Sequence, residues 1–261
     1  MPPAPQTGDM ADLPAQYFAG RDGAKLAYRE LGQGRPVVLI HGYFSNATTN
    51  WIRYGHAARI AEAGFRVIMP DLRGHGDSAK PQDAAAYPPD VLADDGFALI
   101  ETLGLTGYAL GGYSLGGRTT ARMLVRGAAP DRAVIAGMGL DGIVHASARN
   151  AHFRRILENR GGWDRRSPEG KAEAFMNSTG ADPVAGLHLL ASNVDTPAAA
   201  LAAITMPVLV LAGEEDNDNG TAEDLAAALP HGRAARVPGN HMSAVAQPDL
   251  GRAIAAYLTA G

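Results

Sequence analysis

Residues 108–117 read Tyr-Ala-Leu-Gly-Gly-Tyr-Ser-Leu-Gly-Gly, and this stretch decides the fold. Ser114 lies between Gly112 and Gly116 in a Gly-x-Ser-x-Gly pattern. This pattern is typical of a sharp turn from a strand into a helix, which holds the serine in a strained backbone conformation. A Cβ at either glycine would collide where the strand and the helix pack closely. Ser114 is therefore the candidate nucleophile of an enzyme.

The sequence on both sides of Ser114 strengthens this interpretation. The chain contains 32 glycines, so the pattern by itself arises easily by chance. Here a short apolar run, 108–110, precedes the serine, and a stretch compatible with a helix, 118–125, follows it. A strand, a turn and a helix in succession are the context that a nucleophilic serine of this kind requires.

Apolar runs rich in β-formers alternate with helical patterns along the chain. Strands are predicted at 26–28, 36–40, 65–69, 108–110, 133–136, 208–211 and 234–237, and helices at 53–63, 90–103, 118–125, 221–229 and 249–258. Such alternation favours parallel strands joined by right-handed helical crossovers. The predicted fold class is therefore α/β, with a mostly parallel central sheet and helices on both faces.

One connection is far longer than the others. About 70 residues separate the strands that begin at Ala133 and Val208, whereas most connections are short. Helical patterns within this segment lie at 150–158, 168–177 and 197–204. We expect a helical insertion at about 142–205 that forms a lid over the sheet, because insertions are tolerated in loops beside a site. Residues 16–261 are predicted to form a single domain, and the Pro- and Ala-rich residues 1–15 a flexible N-terminal tail.

Composition excludes several classes of protein. The net charge is −4, which argues against binding to nucleic acid or to an anionic membrane surface. The chain has no cysteine, which excludes disulfides, thiolate metal sites and a cysteine nucleophile. No apolar run approaches the ~20 residues that span a bilayer, and the N-terminus lacks the pattern of a signal peptide. We expect a soluble cytoplasmic protein, and its oligomeric state, a homo-oligomer included, is left open.

Several motifs occur in an order that is known from one superfamily. They are Leu-Ile-His-Gly-Tyr at 39–43, Asp-Leu-Arg-Gly-His-Gly-Asp-Ser at 71–78, the serine turn, Leu-Ala-Gly-Glu-Glu-Asp at 211–216 and Gly-Asn-His at 239–241. From about Gln16 to Tyr257 the chain resembles the α/β-hydrolase superfamily. Its nearest relatives by motif style are small esterases and the cofactor-free haloperoxidase, perhydrolase and C–C hydrolase groups. The resemblance implies an α/β-hydrolase fold with a helical lid.

Two further side chains are predicted to activate Ser114. A serine hydroxyl is a poor nucleophile at neutral pH and needs a base within hydrogen-bond reach. His241 follows the strand that ends at Val237, where the superfamily carries its catalytic histidine. Asp216 is expected to orient His241, and the order Ser114, Asp216, His241 is the one that the fold implies. Other acids stay open for this role: Glu214, Glu215 and Asp218 in the same loop, and Asp141 after the preceding strand.

Backbone amides are expected to stabilise the negative charge that forms during reaction. The resemblance implies an oxyanion hole made of the N–H groups of Tyr43 and Leu115. The side chains of Tyr43, Phe44 and Met242 are candidates to contact the substrate. His41 and His75 are implied to brace loops through hydrogen bonds to the backbone, so no metal site and no cofactor are predicted.

The expected activity is hydrolysis of a carboxylic ester by acyl transfer through Ser114, with a small-molecule ester as the binding partner. The same three side chains would also serve a C–C bond hydrolase, a lactonase or a perhydrolase, because the shape of the pocket selects the bond that is cleaved. A non-catalytic ligand-binding protein built on a hydrolase fold is the alternative of another class.

Overall fold

The computed structural model describes residues 13–260, apart from the side chains of residues 148 and 149. Most of the predicted N-terminal tail, residues 1–12, lies outside the described residues. Residues 13–15 have no regular secondary structure and lead directly into the first strand at Gln16.

Eight strands form one mixed sheet within the described residues. They are β1 (Gln16–Ala19), β2 (Lys25–Leu31), β3 (Arg35–Ile40), β4 (Phe65–Pro70), β5 (Ala109–Tyr113), β6 (Arg132–Ala136), β7 (Val208–Gly213) and β8 (Gly232–Val237). Their spatial order is β1-β2-β4-β3-β5-β6-β7-β8. Strand β2 is antiparallel to both of its neighbours, whereas β3 to β8 all run parallel. The predicted fold class, α/β with a mostly parallel sheet, is confirmed.

The central strands are apolar on both faces, which is why their sequences read as continuous hydrophobic runs. In β3, Val37 and Leu39 belong to one buried cluster, and Val38 and Ile40 to another. Because successive side chains point to opposite faces of a strand, these two clusters are the two sides of the sheet. Each side must therefore be covered by helices.

The described chain contains nine α-helices, which lie between the strands and after the last one. They are α1 (His56–Glu62), α2 (Val91–Thr102), α3 (Leu115–Val125), α4 (Leu140–Val144), α5 (Ala146–Glu158), α6 (Pro168–Thr179), α7 (Pro183–Ser192), α8 (Ala222–Ala227) and α9 (Pro248–Thr259). Helices α1 and α9 cover one face of the sheet, and α2, α3 and α8 cover the other. None of the helices among residues 13–260 has the length and apolar character required to cross a membrane.

The helical insertion differs in detail from its prediction. Helices α4 to α7 lie between β6 and β7, and both α4 and α7 were missed by the sequence patterns. The segment predicted as a helix at 197–204 forms a 3₁₀ helix, Ala198–Ala203. Helix α7 is apolar on most of its surface and contains Gly186, so it lacks the amphipathic period that identifies a helix in sequence. Asp182 caps it by accepting hydrogen bonds from the first helical amides.

The helix predicted at 53–63 begins later than predicted, and a separate turn of helix precedes it. Thr48–Ile52 form a π-helical turn, and α1 begins only at His56. Gly55 separates the two with φ of 73°, a left-handed conformation that glycine adopts readily. The β1 strand was also missed; it has four residues and pairs only with β2, so its sequence carries little periodicity.

A buried ion-pair network ties the loop after β4 to its surroundings. The Arg73 guanidinium is 1% exposed and donates to both carboxylate oxygens of Asp95 in α2, at 2.9 and 2.8 Å. It also donates to Asp22 in the turn after β1 and to the carbonyl of Ala86. A buried guanidinium must keep such partners, because an uncompensated buried charge is strongly destabilising.

Replacing Asp95 with alanine is therefore expected to lower the free energy of unfolding by about 3 kcal/mol or more. The neighbouring Asp94 provides the control, because its ion pair with Arg126 lies at the surface, where such pairs contribute up to about 1 kcal/mol. Urea unfolding of Asp95→Ala and Asp94→Ala measures both effects. Equal losses of stability would contradict the role of the buried pair.

Candidate active site

Ser114 occupies the turn between β5 and α3. Its φ of 54° and ψ of −114° are unusual for a residue other than glycine, as the sequence pattern predicts. A Cβ at Gly112 would lie 2.3 Å from the carbonyl carbon of Gly116, and one at Gly116 would lie 2.1 Å from the Ile40 oxygen. The steric requirement for both glycines is thus confirmed. The turn presents the Ser114 hydroxyl at the carboxyl edge of the sheet.

The structure brings the three predicted side chains together. Ser114 Oγ lies 3.0 Å from His241 Nε2, and His241 Nδ1 lies 3.0 Å from Asp216 Oδ2. The three residues follow β5, β7 and β8, so the parallel sheet collects them at one edge. The Asp216 side chain is 3% exposed, which leaves its carboxylate little contact with water. The arrangement allows a proton to pass from Ser114 to His241.

Among the alternative acids, the structure places none in the position of Asp216. Glu214, Glu215 and Asp141 are exposed to solvent. Asp218 is also exposed, and its backbone N–H lies 3.4 Å from Asp216 Oδ1. The acid that bonds to His241 in this structure is therefore Asp216.

Tyr113, which the sequence analysis missed, holds the loop of His241. Its hydroxyl donates to the His241 carbonyl at 2.6 Å, and the two rings are 5.5 Å apart. Burial raises the pKa of the Tyr113 phenol, and the charges of Asp216 and Asp218 raise it further, so the hydroxyl keeps its proton and remains a donor. The only sequence signal was its position directly before Ser114.

The loop after β3 leaves one amide available to a ligand. The Gly42 N–H donates to Asn50 Oδ1 at 3.0 Å, and the Phe44 N–H to His75 Nε2 at 3.3 Å. The Tyr43 N–H between them has no acceptor among residues 13–260. Leu115 is the first residue of α3, so its N–H also lacks an intrahelical acceptor. These two amides are the ones that the sequence analysis predicts for an oxyanion hole.

His41 and His75 brace this loop from beneath. His41 Nε2 accepts from the Leu72 N–H at 2.9 Å and His41 Nδ1 lies 2.8 Å from the Gly42 carbonyl, while His75 Nδ1 lies 3.1 Å from the Arg73 carbonyl. Burial lowers the pKa of both imidazoles, that of His75 to about 3 with His41 adding to the effect. Both rings are therefore neutral, and both nitrogens of each are engaged with the backbone.

One group of side chains has the spacing of a metal site. Ligand atoms of Asp216, Asp218 and His241 lie within 4.8 Å of one another in the described chain. The hydrogen bonds of His241 to Asp216 and Ser114 already account for its proximity to the carboxylate. The cluster is therefore part of the Ser114 site.

Two cavities flank Ser114. The larger, of about 200 Å³, is lined by His241, Met242, Tyr54 and Phe175 among others. The smaller, of about 20 Å³, lies under the helical insertion and is lined by residues that include Leu115, Phe153, Leu189 and Arg118. Tyr43 and Ser114 line both cavities, so the two spaces meet at the serine.

The three predicted substrate contacts lie at different depths. Met242 is 56% exposed at the mouth of the larger cavity. Tyr43 lines both cavities, and its hydroxyl donates to the Gly186 carbonyl in α7 at 2.8 Å. Phe44 is buried among Leu157, Met176 and Leu190 and stacks on Tyr43 at 4.2 Å, so its ring supports Tyr43 and lines neither cavity.

The sheet order and the serine turn define an α/β hydrolase. The chain belongs to this family: the family profile described as alpha/beta hydrolase fold matches residues 35–189. That match includes the loop after β3 and the Ser114 turn.

The proteins to which this chain is similar are named for several different activities. The chain is 40% identical over 106 residues to the non-heme chloroperoxidase CPO-A1 of Kitasatospora aureofaciens, covering 41% of this chain and 37% of that protein. It is 34% identical over 110 residues to an epoxide hydrolase of Caballeronia sordidicola, covering 42% of this chain and 32% of that protein. The chain thus spans less than half the length of these curated relatives. A thermophilic esterase from Thermogutta terrifontis has a similar structure, with a TM-score of 0.75, 25% identity and coverage of 94% of this chain and 98% of that one.

The neutral His75 predicts a dependence of stability on pH. Its pKa is about 3 in the folded chain and 6.5 when unperturbed, so between these values only the unfolded chain binds the proton. The stabilisation is complete above pH 6.5 and is lost as the pH falls. At pH 5.5 this one residue should reduce the free energy of unfolding by about 1.4 kcal/mol relative to neutral pH.

Urea unfolding at pH 7.5 and 5.5 measures this difference. In His75→Gln, whose side chain cannot titrate, we expect the difference in free energy of unfolding between the two pH values to be smaller by about 1.4 kcal/mol. His231→Gln, at an exposed position, should keep the difference of the original chain. If His75→Gln and the original chain lose the same stability on acidification, the buried imidazole is not responsible.

Proposed function

We propose that this protein is a serine hydrolase that cleaves a carboxylic ester by acyl transfer. The observation that carries the proposal is the continuous hydrogen-bonded series from Ser114 through His241 to Asp216 at a strained turn. A serine that is only structural would not require an imidazole and a buried carboxylate aligned on its hydroxyl.

In the first step, Ser114 Oγ attacks the ester carbonyl while His241 Nε2 takes the hydroxyl proton. Asp216 stabilises the imidazolium that forms and keeps the ring oriented. The amides of Tyr43 and Leu115 donate to the oxygen of the tetrahedral intermediate, which carries the developing negative charge. The intermediate collapses when His241 returns the proton to the leaving alcohol, and an acyl-enzyme remains.

In the second step, water takes the place of the alcohol. His241 accepts a proton from the water, whose oxygen attacks the acyl carbonyl, and the second intermediate releases the acid and restores Ser114. No cofactor takes part in these steps. His241 acts as base and then as acid in both halves, and in the second half it returns the proton to Ser114 Oγ, which is now the leaving group.

The two cavities divide the substrate between them. The leaving oxygen must receive its proton from His241, so the alcohol belongs in the larger cavity, which His241 lines. The acyl group then points into the smaller cavity beneath the helical insertion. With a volume of about 20 Å³, that cavity favours a short acyl chain, such as acetyl.

A second candidate activity is acyl transfer to hydrogen peroxide. The similarity to a chloroperoxidase favours it, because peroxide can attack the same acyl-enzyme and leave as a peracid. His241 would take the peroxide proton as it takes that of water. Product analysis of p-nitrophenyl acetate turnover with and without peroxide distinguishes peracid from acetate. Cleavage of a C–C bond or a lactone is tested with the corresponding substrates.

The central test is labelling with a fluorophosphonate, which reacts with activated serines. We expect a single adduct on Ser114, and a loss of about 10⁶-fold in kcat for p-nitrophenyl acetate in Ser114→Ala. Peptide mapping identifies the modified residue. Turnover without an adduct, or an adduct elsewhere, would remove the assignment, and a chain that neither reacts nor turns over would support a non-catalytic binding protein.

The choice of the acid is tested by two matched variants. Asp216→Asn should lower kcat by about 10⁴-fold, because the amide no longer favours the tautomer and charge that His241 needs. Asp141→Asn changes an exposed carboxyl that makes no contact with His241 and should retain activity. The reverse result in ester hydrolysis would assign the role to Asp141.

A further inference from the structure

Three polar side chains form a cluster in the wall of the larger cavity. Ser45, Thr49 and Asn50 are 5%, 5% and 3% exposed, and all three line the space beside Ser114 and His241. The mouth of the same cavity is apolar. Tyr54, Phe175, Met242 and Val245 contribute there. We refer to Ser45, Thr49 and Asn50 as the polar cluster.

The Asn50 side chain is held by its oxygen, and its NH₂ group donates no hydrogen bond in the described chain. Its Oδ1 accepts from the Gly42 N–H at 3.0 Å, which settles which end of the amide is the oxygen. Its Nδ2 is buried and has no hydrogen-bond partner in the part of the chain that the structure describes. Buried amide groups are almost always bonded, so this donor points to a ligand that supplies an acceptor.

The two hydroxyls of the polar cluster also lack a hydrogen-bond partner in the described chain. Neither Ser45 Oγ nor Thr49 Oγ1 bonds to another group between residues 13 and 260. Their backbones are nevertheless held firmly: the Ser45 N–H donates to the Gly42 carbonyl, and the Thr49 N–H to Asn46 Oδ1 at 2.7 Å. Ordered hydroxyls beside a cavity, without protein partners, are suited to bind a polar group there.

The backbone that carries the cluster is itself unusual. Thr49 and Asn50 lie in the π-helical turn Thr48–Ile52, which widens the coil by one residue per turn. Such turns are rare and frequently occur at functional sites. Here the turn carries two successive polar residues, Thr49 and Asn50, and both line the larger cavity.

From these contacts we infer that the polar cluster binds a second hydroxyl group on the alcohol part of the ester. The inference rests on the proposed function, because it places the leaving alcohol in the cavity that His241 lines. A hydroxyl can accept from Asn50 Nδ2 and donate to Thr49 or Ser45, whereas a carbonyl only accepts and an ammonium only donates. In the described chain no acidic or basic side chain apart from His241 lines this cavity, which favours a neutral partner.

The substrate class is therefore a short-chain ester of a diol or polyol. Because water enters from the side on which the alcohol left, the same cluster would also hold a hydroxylated acceptor during the second step. A glycol should then compete with water for the acyl-enzyme better than a simple alcohol does.

Matched esters test this inference. In 2-hydroxyethyl acetate a hydroxyl replaces the terminal methyl group of n-propyl acetate, and 3-hydroxypropyl acetate is paired with n-butyl acetate in the same way. The ratio of kcat/KM within each pair is divided by the ratio of alkaline hydrolysis rates, which removes intrinsic reactivity. We expect the hydroxylated ester of at least one pair to be preferred by about 5-fold. A preference for the alkyl ester in both pairs, as a purely apolar wall would give, overturns the inference.

Thr49→Val removes one hydroxyl with little change of shape. We expect it to reduce the preference for the hydroxylated ester by about 3-fold to 10-fold, and Ser45→Ala to reduce it in the same direction. The exposed Thr106→Val is the matched control and should leave the ratio unchanged. Thermal unfolding checks that each variant is folded. A ratio that is the same in Thr49→Val, Ser45→Ala and the original chain overturns the role of the cluster.

Failure of this inference is distinguishable from failure of the proposed function. If Ser114 is labelled and p-nitrophenyl acetate is hydrolysed without any preference for the hydroxylated esters, only the substrate class is wrong. If Ser114 is not labelled and no ester is cleaved, the proposed function fails and the inference fails with it. Transfer of acetyl from p-nitrophenyl acetate to ethylene glycol, compared with 1-propanol, provides the independent second readout.

Discussion

The structure of the site depends on one close approach, that of α3 to the strand beside it. The backbone of Gly116 comes so near to the Ile40 carbonyl that a Cβ would lie 2.1 Å from that oxygen. This contact lets α3 start directly beneath the loop that follows β3, with the Ser114 N–H bonded to the Ala136 carbonyl on the other side. The serine is therefore fixed between two neighbouring strands, and its positive φ is maintained by packing that a larger residue would disrupt.

Neutral buried polar groups connect the loops around this turn to one another. His41 and His75 connect the loops after β3 and β4 through backbone hydrogen bonds, and Asn50 holds the Gly42 amide. Of the three successive amides at 42–44, those of Gly42 and Phe44 are thereby bonded, whereas that of Tyr43 has no acceptor among residues 13–260. Preorganised donors of this kind avoid the cost of reorienting at the moment of reaction.

The sequence was sufficient for the fold class because the strands are fully buried and the glycines of the Ser114 turn have a steric purpose. The proximity of Ser114, Asp216 and His241 was also predictable, because each follows a parallel strand of the same sheet. What it could not give depends on tertiary contact. Tyr113 reads only as the residue before Ser114, the π-helical turn at 48–52 lies outside every predicted element, and Phe44 reads as a candidate substrate contact although it packs inward. No periodicity in the sequence distinguishes these cases.

Tyr43 connects parts of the molecule that would otherwise be independent. Its amide belongs to the loop that faces Ser114, while its hydroxyl is bonded to the Gly186 carbonyl of α7, inside the helical insertion. Any outward displacement of α7 must break that bond or draw the loop along with it. Access to the space beneath α7 and the position of the Tyr43 backbone are consequently coupled through a single phenol ring.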